Sequence, residues 1–175
     1  MRRRIPVSVV FVIGLVLMFY LDGSISQVFS NWLYATPNSM VPYLTLMWLS
    51  MTAFFTNSLK TTHVIVWAAI IGFVFDLYYT GLLGVYVFVF PLVVYIGQSI
   101  YELMPRNFFS GFLVFFIDIT IAISLNFLAN IFVGQVDPSA TTFLVNALAP
   151  TLALNLFFFA ICYFPIESLY AERRR

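Results

Sequence analysis

The stretch from Ala68 to Gly84, AAIIGFVFDLYYTGLLG, places one carboxylate inside a run that is otherwise composed for lipid. An aspartate near the middle of a membrane helix costs about 2.5–3.5 kcal/mol on insertion scales, so Asp76 should face protein or a water-filled cavity. At helical spacing, small and polar residues form one stripe: Ala68, Gly72, Asp76 and Thr80. Gly81 and Gly84 then mark a tight turn before a second apolar run. The stretch predicts a transmembrane helical hairpin whose stripe is a helix–helix interface.

The composition extends this prediction to the whole chain. Of the 175 residues, 62% are hydrophobic and only 9% are charged. The mean hydropathy of +1.00 lies far outside the range of soluble globular domains. Long apolar runs indicate α-helices, because only helices and closed barrels satisfy every backbone group in hydrocarbon. We therefore expect an all-α integral membrane protein embedded in a lipid bilayer, and the net charge of +1 gives no reason to expect nucleic-acid binding.

Apolar runs predict six transmembrane helices within a single domain, 1–175. The expected ranges are about 5–21, 42–56, 63–79, 82–101, 108–132 and 142–164. The first run has a rival interpretation as a signal peptide, since Ser24-Ile25-Ser26 resembles a cleavage site. Its apolar run exceeds the length of about 7–15 residues that is usual for a signal core, so we expect a retained helix.

Basic residues fall on one side of this arrangement. They are Arg2 to Arg4, Lys60, Arg106 and Arg173 to Arg175, and the three loops between the remaining helix ends carry no Lys or Arg. Because cytoplasmic loops are enriched in Lys and Arg, both termini are predicted to be cytoplasmic.

Polar residues also lie in the fifth and sixth predicted helices. Asp118, Asn126 and Asn130 join Ala122 at four-residue intervals on one side of the fifth, and Asn155 lies in the sixth. We expect these side chains to hydrogen-bond neighbouring helices and to fix their packing. For Asp76, hydrogen bonding is expected to matter more than charge, so that Asp76→Asn keeps the fold.

Motifs for enzyme chemistry are missing from the sequence. It contains no GxxxxGK[ST], HExxH or GxSxG motif, and Cys162 is its single cysteine. A pair of intramembrane protease carboxylates, Asp76 and Asp118, would need the GxGD signature and a common depth, and neither is indicated. We therefore predict no catalytic residue, no cofactor and no metal site.

The spacing G-x3-D-x7-G at Gly72, Asp76 and Gly84, set between two apolar helices, resembles the rod shape-determining protein MreD family. The length and the helix layout resemble that family too. The resemblance implies a non-enzymatic scaffold of the bacterial cytoplasmic membrane that maintains cell shape by organising peptidoglycan synthesis. The implied partners are an MreC-like single-span membrane protein and the cell-wall synthases of the elongation complex. The implied fold is similar to the six-helix substrate-binding components of energy-coupling-factor transporters.

That implied fold leaves one alternative function open, a substrate-binding membrane component of a vitamin or small-molecule transporter. Such components usually carry an AxxxA-like motif in the first helix, where this chain has only Ser8 and Gly14 as small residues. The sequence therefore favours the scaffold. Genes for an MreC-like protein or for vitamin uptake beside this one would discriminate between the two.

Overall fold

The computed structural model describes residues 6–56, 63–135 and 139–171, and these residues form helices joined by short connections, with no strand among them. The prediction of an all-helical membrane protein is confirmed. The helices are α1 (Val7–Val28), α2 (Ser30–Leu33), α3 (Leu44–Thr56), α4 (Val64–Thr80), α5 (Val85–Glu102), α6 (Phe108–Phe132) and α7 (Ala140–Ala171). Helices α4 and α7 contain π-helical turns at Asp76–Thr80 and Leu144–Leu148.

Four of the helices are long and apolar enough to cross a bilayer, whereas six were predicted. These four are α1, α5, α6 and α7, and the apolar helices α3 and α4 are shorter. At a rise of 1.5 Å per residue, the 13 residues of α3 extend about 20 Å, less than a hydrocarbon core of about 30 Å. The existence of six apolar helices is therefore correct, but spanning length is seen for only four of them.

Helix α3 lies at the centre of the protein. All of its residues from Leu44 to Phe55 are buried, and it packs against α1, α4, α5, α6 and α7. Gly14 of α1 allows this packing, since a Cβ there would overlap the indole ring of Trp48. The same indole donates a hydrogen bond of 3.0 Å to the carbonyl of Phe11. A helix enclosed in this way contacts protein on every side, so it need not match the thickness of the bilayer.

Several helix boundaries differ from the predicted ones. Helix α1 continues to Val28, although its apolar run ends at Leu21, and α7 continues to Ala171 instead of ending near Phe164. Helix α5 begins at Val85, after a turn that includes Gly84. Apolar run length underestimated α1 and α7 because a helix continues through polar residues when they find partners in the fold.

The segment between α2 and α3 is irregular and enters the protein. Tyr43 is 2% exposed, and Ser39 donates from its backbone N–H to the carbonyl of Asn146 at 2.7 Å. Backbone that is not helical is tolerated within a membrane protein only where protein or a polar cavity satisfies it. The backbone N–H and C=O groups of this segment therefore need hydrogen-bond partners from other parts of the protein.

Candidate functional site

The carboxylate of Asp76 holds the start of helix α5. Its oxygens accept hydrogen bonds from the backbone N–H groups of Gly84 at 3.0 Å, Tyr86 at 2.9 Å and Val87 at 3.3 Å. The first N–H groups of a helix have no partner within that helix, and a side-chain oxygen is their usual substitute. Asp76 is fully buried, so these bonds replace the water that it would otherwise bind. The side chain therefore acts as a helix cap supplied by the preceding helix.

The two glycines of the hairpin turn adopt backbone conformations that side chains disfavour. Gly81 has a φ of +68° and Gly84 a φ of +103°. The N–H of Gly81 also closes the π-helical turn through a 3.0 Å bond to the carbonyl of Asp76. Together they reverse the chain within a few residues, which brings the N-terminus of α5 to the carboxylate.

Gly72 serves the same hairpin by close approach. A Cβ at this position would overlap the backbone carbonyl of Tyr86, so only glycine lets α4 and α5 come this near. Ala68 is fully buried one turn earlier, and the hydroxyl of Thr80 lies 3.4 Å from the Asp76 carboxylate. The G-x3-D-x7-G spacing is thus explained by one structural unit: Gly72 sets the distance, Asp76 caps, and Gly84 turns.

A second carboxylate, Asp22, caps the central helix in the same manner. It accepts from the backbone N–H of Leu44 at 2.6 Å and of Thr45 at 2.8 Å, and from the Thr45 hydroxyl at 2.6 Å. The predicted first helix, about 5–21, ends just before Asp22, so sequence reasoning missed this role. The available signal was its spacing, because Asp22 continues the buried face of α1 formed by Phe11, Leu15 and Phe19.

Asn155 on α7 anchors the segment that leads into α3. Its side-chain oxygen accepts from the backbone N–H of Tyr43 at 2.7 Å, and its amide donates to the carbonyl of Val41 at 2.8 Å. One turn away, the Thr151 hydroxyl accepts from the N–H of Val41 and donates to the carbonyl of Ser39, both at 3.2 Å. A residue expected to bond another helix therefore bonds irregular backbone instead.

Asp118 lies apart from these caps, against the middle of α3. It is fully buried and accepts from the Ser50 hydroxyl at 2.8 Å, while its other oxygen has no partner among the described residues. Gly97 of α5 faces it so closely that a Cβ there would overlap both carboxylate oxygens. No hydrogen bond within the described ranges joins Asp118 to Asp76, so the two carboxylates do not form a proton-sharing pair.

Asn126 and Asn130 occupy a different environment from the other predicted packing residues. The amide of Asn130 donates to the backbone carbonyl of Asn126 at 2.8 Å, within the same helix, and neither side chain bonds another helix of the described chain. Both side chains line two cavities at one end of the helix bundle, and Asp22 and Thr80 line one of these cavities as well. The structure thus groups Ala68, Gly72, Asp76, Thr80, Gly81 and Gly84 in one hairpin, and sets Asp118, Asn155 and the Asn126–Asn130 pair in three other places.

Comparison with known proteins identifies the family of the chain. The family model described as rod shape-determining protein MreD matches residues 4–173. The chain belongs to the MreD family. A rod shape-determining protein MreD of Bacillus subtilis (strain 168) is 25% identical over 136 residues, which cover 76% of this chain and 75% of that relative. No solved structure matches the chain. MreD proteins are membrane-embedded parts of the shape-determining complex, so this chain is a multi-pass bacterial membrane protein with a role in rod shape determination.

Within an MreD-family protein, the geometry indicates structural uses for the buried carboxylates. Asp22 and Asp76 direct their oxygens at backbone N–H groups, and Asp118 accepts from a serine hydroxyl. In the described part of the chain, no three His, Cys, Asp or Glu side chains are grouped so as to hold a metal ion. An aspartate on one helix can therefore cap the start of another helix, and such a cap fixes the two helices relative to each other.

Proposed function

We propose that this MreD-family chain is a non-enzymatic scaffold that organises peptidoglycan synthesis during cell elongation. Its proposed partners are an MreC-like single-span membrane protein and cell-wall synthases. The observation that supports the proposal most directly is the use of the Gly72, Asp76 and Gly84 motif as a clamp between α4 and α5. A carboxylate that accepts hydrogen bonds from several backbone N–H groups has a structural role. The pair of helices that it holds together is rigid and offers a partner helix a constant surface.

We also propose that both termini lie in the cytoplasm. Arg106 is the only Lys or Arg in residues 6–56, 63–135 and 139–171, and it lies in the connection between α5 and α6. Arg2 to Arg4, Lys60 and Arg173 to Arg175 fall outside the described residues. By the positive-inside rule, the Arg106 connection is expected on the cytoplasmic side. The opposite ends of α5 and α6, near the helix caps formed by Asp76 and Asp22, are then expected outside. We also propose that the fold of this chain is similar to that of the six-helix substrate-binding components of energy-coupling-factor transporters.

Partner capture and cell shape, measured together in a deletion background, test the scaffold. Gly72→Leu forces α4 and α5 apart, and Asp76→Leu leaves the first N–H groups of α5 without acceptors. At equal membrane abundance, we expect both variants to lose co-purification of the MreC-like partner and to give rounded cells. Ser99→Ala, at an exposed position of α5, is the matched control and should retain both.

Two results would contradict the scaffold. The first is rod-shaped growth by a variant that no longer captures the partner. The second is a variant that captures the partner normally, at normal abundance, while the cells become round; this outcome would indicate a separate chemical or transport role. If Gly72→Leu lowers abundance, Gly72→Ala provides a smaller overlap at the same contact.

A further inference from the structure

Two adjoining cavities lie at the end of the bundle where α1 and α4 end and α3 and α5 begin. Their volumes are about 670 and 400 Å³, within the range of small-molecule sites. Val41, Tyr43, Asn126 and Asn130 line both, so these residues form the wall between them. Exposed Pro37 and Ser139 lie on the rim of the larger cavity, which therefore reaches the protein surface.

The walls carry polar groups that the fold leaves unused. The side-chain N–H groups of Asn126 donate to no described residue, and the side-chain oxygen of Asn130 accepts from none. The side-chain amide of Asn146, on the opposite wall, is also without a described partner. By contrast, Tyr43 is engaged with Tyr86 through a 2.6 Å bond between their hydroxyls. These free asparagine groups thus lie on two helices, α6 and α7, that both line the larger cavity.

The charge of the walls restricts the ligand. Neither cavity is lined by a described Lys, Arg or His residue, and the one acidic lining residue, Asp22, is 2% exposed with both oxygens occupied by α3. An anionic ligand would therefore be desolvated without a counter-charge, and a cationic one would find no free carboxylate. The amides can instead donate and accept, which matches the hydroxyl groups of an uncharged ligand.

Aromatic rings complete the larger cavity. Phe127 and Phe143 stack on each other with ring centroids 4.0 Å apart, and both line it beside the amides. A ring with hydroxyl groups at its edge and C–H groups on its faces would place its hydroxyls on the amides and its faces on such side chains. We propose that the two cavities form one binding site for an uncharged sugar, with Asn126 and Asn130 as its hydrogen-bonding residues.

Calorimetry with the purified full chain tests this site. A polyoxyethylene detergent is required, because glucoside and maltoside detergents present sugar head groups themselves. The probes are glucose and N-acetylglucosamine, compared with anionic glucose 6-phosphate and cationic glucosamine. We expect the uncharged probes to bind and the charged ones to bind more weakly. Loss of hydrogen bonds in Asn126→Leu or Asn130→Leu should raise the Kd about tenfold.

Thr120→Val is the matched control, since Thr120 lies on the same helix, bonds the carbonyl of Phe116 and lines neither cavity. It should bind the probes as the native chain does. Thermal unfolding without sugar shows whether each variant is folded. Because there are two asparagine variants, the test still works if one of them does not fold. The proposal is overturned if no uncharged probe binds, if glucose 6-phosphate binds more tightly, or if both folded asparagine variants bind normally.

Discussion

The carboxyl group of Asp118 occupies the space beside Gly97 that any side chain at that position would need. We predict that Gly97→Ala lowers the free energy of unfolding by about 1–3 kcal/mol, because both groups are buried and the overlap involves each carboxylate oxygen. The measurement is chemical or thermal unfolding in detergent. Ser99→Ala, two residues further along α5 and exposed, should change it little.

The same contact predicts non-additivity. Removing the carboxylate relieves the overlap, so Gly97→Ala with Asp118→Ala should cost less than the sum of the two single variants, by about 0.5–3 kcal/mol. Unfolding of the four proteins in one detergent gives the coupling free energy. Strict additivity would mean that the methyl group introduced by Gly97→Ala is accommodated by a movement elsewhere.

Replacing Asp76 and Asp118 in turn by asparagine should show that the two carboxylates differ in their importance for stability. Asp76 offers two acceptor oxygens to three backbone N–H groups, and an asparagine retains only one. Asp118 accepts only the Ser50 hydroxyl, which an asparagine oxygen can still receive. We expect Asp76→Asn to lower the free energy of unfolding by about 2 kcal/mol and Asp118→Asn by much less.

This outcome would contradict the sequence-based expectation that hydrogen bonding by an amide can replace the charged carboxylate at Asp76. That expectation rested on the ability of an amide both to donate and to accept, whereas the hydrogen bonds that hold the start of α5 come from backbone N–H donors, which need acceptors. Unfolding of the two amide variants under identical conditions decides it. A loss for Asp76→Asn no larger than that for Asp118→Asn would contradict the predicted difference, and a negligible loss for Asp76→Asn would show that one acceptor oxygen is enough for the cap.

Asp22 should control the start of the central helix. Asp22→Ala removes the acceptor of the Leu44 and Thr45 N–H groups, and loss of a cap costs about 0.5–2 kcal/mol. We expect faster hydrogen–deuterium exchange at these two amides, with the middle of α3 still protected. Gln27→Ala, at an exposed position of the same helix α1, is the control. Unchanged exchange in Asp22→Ala would contradict the capping role.

The predicted orientation is testable by labelling single cysteines in a Cys162→Ala background. Ser30→Cys and Ser139→Cys should react with an impermeant reagent in intact cells, since positive-inside bias places them outside. Arg106→Cys is exposed in the connection between α5 and α6 and should react only after permeabilisation. The opposite pattern would invert the proposed topology and place the two cavities on the cytoplasmic side.

Local sequence patterns predicted the α4–α5 hairpin because its determinants lie close together along the chain. Asp76 reaches Gly84 and Tyr86 within about one turn of helix on either side of the reversal, so spacing alone indicated the hairpin, although it did not indicate the capping hydrogen bonds. The pairing of Asp22 with Leu44 and that of Asp118 with Ser50 cross 22 and 68 residues. No periodicity within one helix encodes which residue of another helix will lie opposite.

The burial of α3 was also beyond local patterns. An apolar helix is equally suited to lipid and to a protein interior, so composition predicted a membrane span at 42–56 without indicating that protein surrounds it. For Asn126 and Asn130, spacing correctly placed both on one side of a helix. It could not tell whether that side meets another helix or open space, and the structure has the cavities there.

The enclosure of α3 determines which parts of this protein respond to the membrane. Helices that touch lipid adjust to a thicker or thinner bilayer by tilting, at a modest cost for each ångström of mismatch. Helix α3 contacts only protein, with its entry held by Asp22 and Asn155, and so has no hydrophobic length to match. A change in lipid chain length should therefore tilt α1, α5, α6 and α7 around a core of constant height.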